Sequence, residues 1–243
     1  MGSIEVVNLL LLHGMGATGQ VWDGVRAELG DRWPGLVLSP DLPGHGVADA
    51  LPRYSFGSMA GAIGSALDPS EPTVVLGHSL GGVLALTLAS GWFGVRVKAV
   101  CGLDIKVVWT EDELAGAAAL AGKPQRHFPE REAAADRHIK VSGLTGLVTD
   151  PDSPMVSSGI TESQQGWTLR FDSKAFAVGA PDMAGLLAAA KAPVLLAAGA
   201  DDHMVSAQQL AALGVEPRIL PGLGHNAHVQ DPAAVAKLVL GLV

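Results

Sequence analysis

Residues 73–89 constrain the fold more than any other stretch of the chain. Thr73-Val74-Val75-Leu76 is a short apolar, β-branched run that meets Gly77-His78-Ser79-Leu80-Gly81. Val83-Leu84-Ala85-Leu86-Thr87-Leu88-Ala89 then continues in residues that suit a helix. A strand, a sharp turn and a helix with a serine at the vertex have an identifiable physical logic. The turn leaves almost no room for Cβ atoms beside the serine, which explains the glycines at 77 and 81. It also forces the serine into a strained backbone conformation and lifts its hydroxyl above the sheet, at a helix N-terminus. Free N–H groups and the positive end of the helix dipole there favour a developing anion. The pattern predicts Ser79 as a nucleophile rather than part of an ordinary glycine-rich turn.

The remaining chain repeats the strand–helix alternation. Apolar runs predict strands at 4–12, 35–39, 97–103, 192–198 and 217–220, in addition to 73–76. Leu9-Leu10-Leu11-Leu12 does not alternate with polar residues, as expected of a strand covered on both faces in a parallel sheet. Helices are predicted over 23–29, over 55–67 with Ser55 as N-cap, over 111–120 and over 233–242 after Asp231-Pro232. Ser206-x-x-Gln209 reads as a capping box opening a further helix to about 213. Between 107 and 182 the texture turns polar, strand-like runs disappear, and Pro151, Pro154 and Pro181 interrupt the chain. This segment is expected to be an inserted, mostly helical cap without a core of its own, on an α/β core formed by 1–106 and 183–243. In such sheets ligands bind beyond the carboxyl ends of the strands. His13-Gly14-Met15, Ser79, Asp202 and His225 all fall at predicted strand ends.

Composition narrows the function classes. With 243 residues and 48% hydrophobic content, the chain can bury the core of one domain. The net charge of −8 is spread along the chain, which argues against a nucleic-acid groove or an anionic membrane surface. The one cysteine, Cys101, lies in an apolar stretch and reads as a buried, inert thiol. No signal pattern opens the sequence and no apolar run approaches membrane-spanning length, so a cytoplasmic protein is expected. The histidines and carboxylates lack metal-ligand spacing, and neither metal nor cofactor is expected. Oligomeric state has no signature here; a small-molecule substrate is the expected partner.

A serine hydroxyl needs a base to accept its proton, and the base needs an acid to fix its tautomer. The order Ser79, Asp202, His225 along the chain is one known solution. Asp41 and His45 read as residues that stitch their Pro/Gly-rich loop by side-chain hydrogen bonds. His78 is expected to point into the fold, and His127, His138 and His203 to be solvated.

Taken together, His13-Gly14-Met15-Gly16, Asp41-Leu42-Pro43-Gly44-His45-Gly46, Gly77-His78-Ser79-Leu80-Gly81-Gly82, Gly199-Ala200-Asp201-Asp202 and Gly224-His225 resemble the α/β-hydrolase superfamily over nearly the whole chain. The resemblance implies a mostly parallel sheet with helices on both faces and a small cap. Few residues precede His13, so about six strands are expected. It makes Ser79 the nucleophile, His225 the base and Asp202 the acid, with the backbone N–H groups of Met15 and Leu80 as an oxyanion hole. Asp201 and Asp104 are alternative acids, Asp104 because some relatives carry the acid after the strand that follows the elbow. His228 competes with His225. The implied activity is cleavage of a small carboxylic ester or lactone through an acyl-enzyme. Alternatives are C–C bond hydrolysis of a small ketone or diketone by the same triad, and a non-catalytic small-molecule receptor. Trp109, Phe128, Trp167 and Phe171 either line an apolar substrate pocket or form the cap's own small core. Arg126, Arg131, Arg137 and Arg170 either hold a substrate carboxylate or are solvated.

Overall fold

The computed structural model describes residues 6–242. In chain order the elements are β1 (Asn8–Leu12), α1 (Asp23–Leu29), β2 (Val37–Leu38), α2 (Phe56–Ser65), β3 (Thr73–His78), α3 (Leu80–Ala89), β4 (Val97–Leu103), α4 (Glu111–Ala121), α5 (Arg131–Val141), α6 (Pro154–Ser157), β5 (Ile160–Ser163), β6 (Gly166–Leu169), α7 (Met183–Ala189), β7 (Val194–Gly199), α8 (Ala207–Ala211), β8 (Arg218–Leu220), α9 (Ala227–Gln230) and α10 (Pro232–Leu240). Short 3-10 turns lie at Gly19–Trp22, Gly30–Arg32 and Ser173–Val178. The first strand begins at Asn8 rather than at residue 4; residues 4 and 5 lie outside the described residues.

Six strands form one parallel sheet in the order β2-β1-β3-β4-β7-β8. The sheet separates two apolar layers, and β1 shows why its leucine run does not alternate. Leu9 and Leu11 pack with Val25 and Leu29 of α1 and Val235 and Val239 of α10. Leu10 and Leu12 pack on the other face with Met59 and Ile63 of α2 and Leu84 and Leu88 of α3. Side chains alternate across a strand, so a strand covered on both sides must be apolar at every position. All four leucines are fully buried, each contributing about 2 kcal/mol of transfer free energy. Every residue of α3 is buried too, which accounts for a helix apolar all round.

Local capping chemistry sets several helix ends. Ser55 and Ser58 close a capping box at α2, as do Thr110 and Glu113 at α4, and Ser206 and Gln209 at α8. Asp231 caps α10 by accepting the Ala234 N–H, with Pro232 in the first turn.

The 107–182 segment departs from expectation in two ways. First, β5 and β6 form an antiparallel hairpin, with Ile160 opposite Leu169 and Ser163 opposite Gly166. Its strands have only four residues each, with Thr161, Glu162, Ser163 and Thr168 polar, and Gly166 turns with φ +103°; a run that short carries little periodicity. Second, His138 is buried, not solvated. Ala134, Ala135 and His138 form the inner stripe of α5. The His138 Nε2 lies 3.0 Å from the Met155 carbonyl, and the ring fills space that a Cβ on Gly159 would occupy. Burial lowers its pKa. Ala134, Leu144, Val156 and Ile160 join the apolar layer that holds Leu9 and Leu11, whereas Phe171 and Ala175 join the layer that holds Leu10 and Leu12.

Candidate active site

The turn after β3 has the predicted strain. Ser79 adopts φ +50° and ψ −115°, a region that L side chains seldom occupy. Its N–H donates to the Leu103 carbonyl at 2.9 Å, anchoring the turn to β4. A Cβ on Gly77 would sit 2.1 Å from the Gly81 carbonyl oxygen, and one on Gly81 would sit 2.2 Å from the Leu12 carbonyl oxygen. Both obstacles are backbone, so glycine is obligatory at 77 and 81. Leu80 is the first residue of α3, where N–H groups lack intrahelical partners.

Asp202 and His225 come from separate loops, after β7 and after β8. His225 Nδ1 lies 2.9 Å from Asp202 Oδ2. The Asp202 side chain is inaccessible, whereas His225 keeps 13% of its side chain exposed. Asp202 Oδ1 accepts the Met204 N–H at 2.7 Å. Burial pushes the Asp202 pKa up, but the His225 hydrogen bond and charge, the Met204 N–H and His203 outweigh it and hold the carboxyl below its usual range. With Nδ1 donating to the carboxylate, the free lone pair of His225 is on Nε2. Ser79 and His225 border one cavity; no hydrogen bond joins them directly among the described residues. Such bonds commonly tighten only with substrate in place.

The competing residues occupy different surroundings. Asp201 is exposed. Asp104 is fully buried at the end of β4 with φ +53°, its Oδ1 accepting the Gly199 N–H at 2.8 Å while Oδ2 has no partner. Burial, reinforced by Asp202 and opposed by the Gly199 and Ala227 N–H groups, pushes its pKa up to about 8. His228 is buried between rings, 4.5 Å from Trp22 and 4.3 Å from His78, and burial pulls its pKa down to about 3. It packs rather than faces the cavity.

Three buried histidines, His13, His45 and His78, act as struts, while His127 and His203 are exposed. His78 turns inward, and its Nε2 lies 2.7 Å from the His225 carbonyl, bracing the loop that carries that residue. His13 places Nδ1 2.8 Å from the Gly14 carbonyl and accepts the Leu42 N–H at Nε2, at 2.9 Å. Burial lowers the pKa of both. Asp41 accepts the Gly19 and Val47 N–H groups, and His45 Nδ1 lies 3.1 Å from the Pro43 carbonyl. Burial holds His45 near a pKa of about 4. These contacts tie the Gly14–Met15 loop to the loop after β2.

A cavity of about 670 Å³ opens over the sheet rim and is bordered by Met15, Ser79, Leu80 and His225. Its walls are apolar, with Phe56, Val83, Ile105, Leu114 and Phe176 among them. Of the four aromatic candidates only Trp109 lines it. Phe128, Trp167 and Phe171 do not, and the pocket expectation is corrected there. Phe128 and Trp167 exchange backbone hydrogen bonds at 2.7 and 2.8 Å, and Phe171 packs on His45 and Phe176. The Phe128 and Trp167 side chains pack against the core, and Phe171 packs on the loop after β2. None of the four arginines lines the cavity: Arg126 lies over Phe128, Arg131 pairs with Asp152 at 2.8 Å, and Arg170 donates to the Ile160 carbonyl. Sequence reasoning passed over Phe56, Leu114, Leu120 and Phe176. The spacing of Leu114, Ala117 and Leu120 on α4 was a usable signal, since every residue of that helix is at least partly exposed and its apolar stripe faces the cavity.

Among the described residues, no group of three histidines, cysteines or carboxylates is placed to hold a metal ion, and no helix is long and apolar enough to cross a membrane. Cys101 is buried, and burial pushes its thiol up to about 12.

Comparison with known proteins places these features in context. A pimeloyl-[acyl-carrier protein] methyl ester esterase of Neisseria meningitidis is 34% identical over 151 residues, 61% of this chain and 46% of that protein. A 2-succinyl-6-hydroxy-2,4-cyclohexadiene-1-carboxylate synthase of Serratia proteamaculans is 27% identical over 242 residues, covering 94% of this chain and 89% of that one. The crystal structure of an esterase from Mycobacterium tuberculosis superposes with a TM-score of 0.73 at 26% identity, over 97% of this chain and 83% of that chain. The stretches shared with the first curated relatives span only about a quarter to a half of those proteins, 24% and 46%. The pattern of the Alpha/beta hydrolase family matches residues 9–238. The chain belongs to the alpha/beta hydrolase family.

Proposed function

We propose that this protein is a serine hydrolase that cleaves a small carboxylic ester or lactone through an acyl-enzyme on Ser79. The observation that carries the reading is the Asp202–His225 pair at 2.9 Å, bordering the same cavity as a serine held at positive φ. His225 Nε2 takes the Ser79 proton as Oγ attacks the ester carbonyl. The negative charge that develops on the carbonyl oxygen is met by the N–H groups of Leu80 and Met15, each such donor lowering the barrier by about 3 kcal/mol. Asp202 holds the His225 tautomer and stabilises its charged form. The protonated imidazole then gives its proton to the departing alkoxide. Water, deprotonated by the same Nε2, attacks the acyl-enzyme and releases the acid with Ser79 restored. The apolar cavity wall suits the acyl chain.

The test is hydrolysis of p-nitrophenyl esters together with labelling by a fluorophosphonate probe. The reading requires both activities and their loss in Ser79→Ala. Turnover or labelling that survives the substitution would end it, and ligand binding without turnover across an ester and lactone panel would favour a receptor.

A further inference from the structure

Lys106 follows β4 and Glu113 stands on the first turn of α4, and both border the cavity beside Ser79. Lys106 Nζ lies 2.7 Å from Glu113 Oε1. The Lys106 side chain is only 13% exposed, and its ammonium lies 5.2 Å from the centre of the Trp109 ring. The Trp109 indole N–H donates to the Lys106 carbonyl, which fixes that wall. Among the described residues, Lys106 is the only lysine or arginine lining the cavity, and Glu113 the only aspartate or glutamate. Glu113 Oε2 also accepts the Thr110 N–H, so the carboxylate is held in place from two sides. The Glu113 side chain is 43% exposed, so the ion pair stands where the cavity opens to solvent, beside walls that are largely apolar.

We propose that Glu113 is a specificity-determining residue that occupies Lys106 and thereby selects uncharged acyl chains over acyl chains ending in a carboxylate. The inference rests on the ester-hydrolase reading of Ser79. A carboxylate entering the cavity gives up its water and finds the one cation already hydrogen-bonded, with a second negative charge beside it. Without Glu113, the same ammonium is left in a poorly hydrated wall and offers the substrate a charge-assisted hydrogen bond.

The experiment compares kcat/KM for p-nitrophenyl hexanoate and mono-p-nitrophenyl adipate, acyl chains of equal length that differ in the terminal charge. Wild type favours the hexanoate. Glu113→Gln keeps an acceptor for the Thr110 N–H, and hence the helix cap, while removing the charge. The ratio should move toward the adipate by about tenfold or more, the effect of one charge-assisted hydrogen bond. Adding Lys106→Met should abolish the gain. An unchanged ratio in Glu113→Gln, or a gain that persists in the double variant, overturns the proposal. Calorimetric binding of methyl hexanoate and monomethyl adipate to Ser79→Ala, with and without Glu113→Gln, reads the same discrimination without turnover. Absence of hydrolysis by the wild type would therefore sink the hydrolase reading, and binding would still decide the role of Glu113.

Discussion

Replacing Asp104 by asparagine should stabilise the protein at neutral pH and flatten its stability against pH. Asp104 is fully buried, and burial together with Asp202 raises its pKa to about 8. In the unfolded chain the same carboxyl titrates near 3.9. Between those values the unfolded chain has released a proton that the folded chain keeps. The stabilisation from keeping Asp104 neutral is complete below about pH 4 and is lost as pH rises to about 8, at about 1.4 kcal/mol per unit. At pH 7 the loss spans about three units, or about 4 kcal/mol as an upper bound. Asp202 works in the opposite sense: its lowered pKa contributes stability above about pH 4 that is lost on acidification. Asparagine retains the oxygen that accepts the Gly199 N–H and carries no proton to lose. Urea unfolding midpoints of wild type and Asp104→Asn, measured from pH 5 to pH 8, should coincide most closely at the acid end and diverge as pH rises, the variant becoming the more stable. Parallel curves, or a variant uniformly less stable at all pH values, would refute the argument that Asp104 is a buried neutral acid.

Three further outcomes follow from the geometry. Gly77→Ala drives a Cβ to 2.1 Å from a backbone oxygen and 2.6 Å from the Gly82 nitrogen, and should cost about 3 kcal/mol of stability in urea unfolding. Asp202→Ala removes the partner of His225 Nδ1 and should lower kcat on p-nitrophenyl esters by roughly ten-thousandfold, the scale seen when a triad acid is lost. Ala117→Phe inserts a ring into the cavity from α4, so the longest acyl chain accepted in an ester panel should shorten while acetate esters react nearly as before.

Elements whose causes are local were readable from the sequence. The turn at Ser79 is dictated by two glycines within five residues, and the close approaches of Gly77 and Gly81 to backbone oxygens show why. The capping boxes at Ser206 and the Asp231-Pro232 start depend on neighbours three residues away. Strands covered on both faces announce themselves as unbroken apolar runs, and the six-strand parallel sheet follows from them. The hairpin at Ile160–Leu169 was not readable, because four-residue strands rich in polar side chains carry too little pattern. His138 reads as a surface residue beside Arg137 and Lys140, and only its contact with the Met155 carbonyl and Gly159 makes it interior.

The sequence by itself determined the fold class and a short list of titratable and nucleophilic groups at strand ends. Tertiary structure decided which of them meet: Asp202, not Asp201 or Asp104, reaches the His225 ring, and His228 is turned away into a ring stack. It also decided that Trp109 borders the cavity while Phe128 and Trp167 pack against the core and Phe171 against His45 and Phe176. The division has one physical cause. Backbone conformation answers to residues a few positions apart, whereas the direction of a side chain at a sheet rim is set by strands and loops distant in sequence, such as the pair His78 and His225.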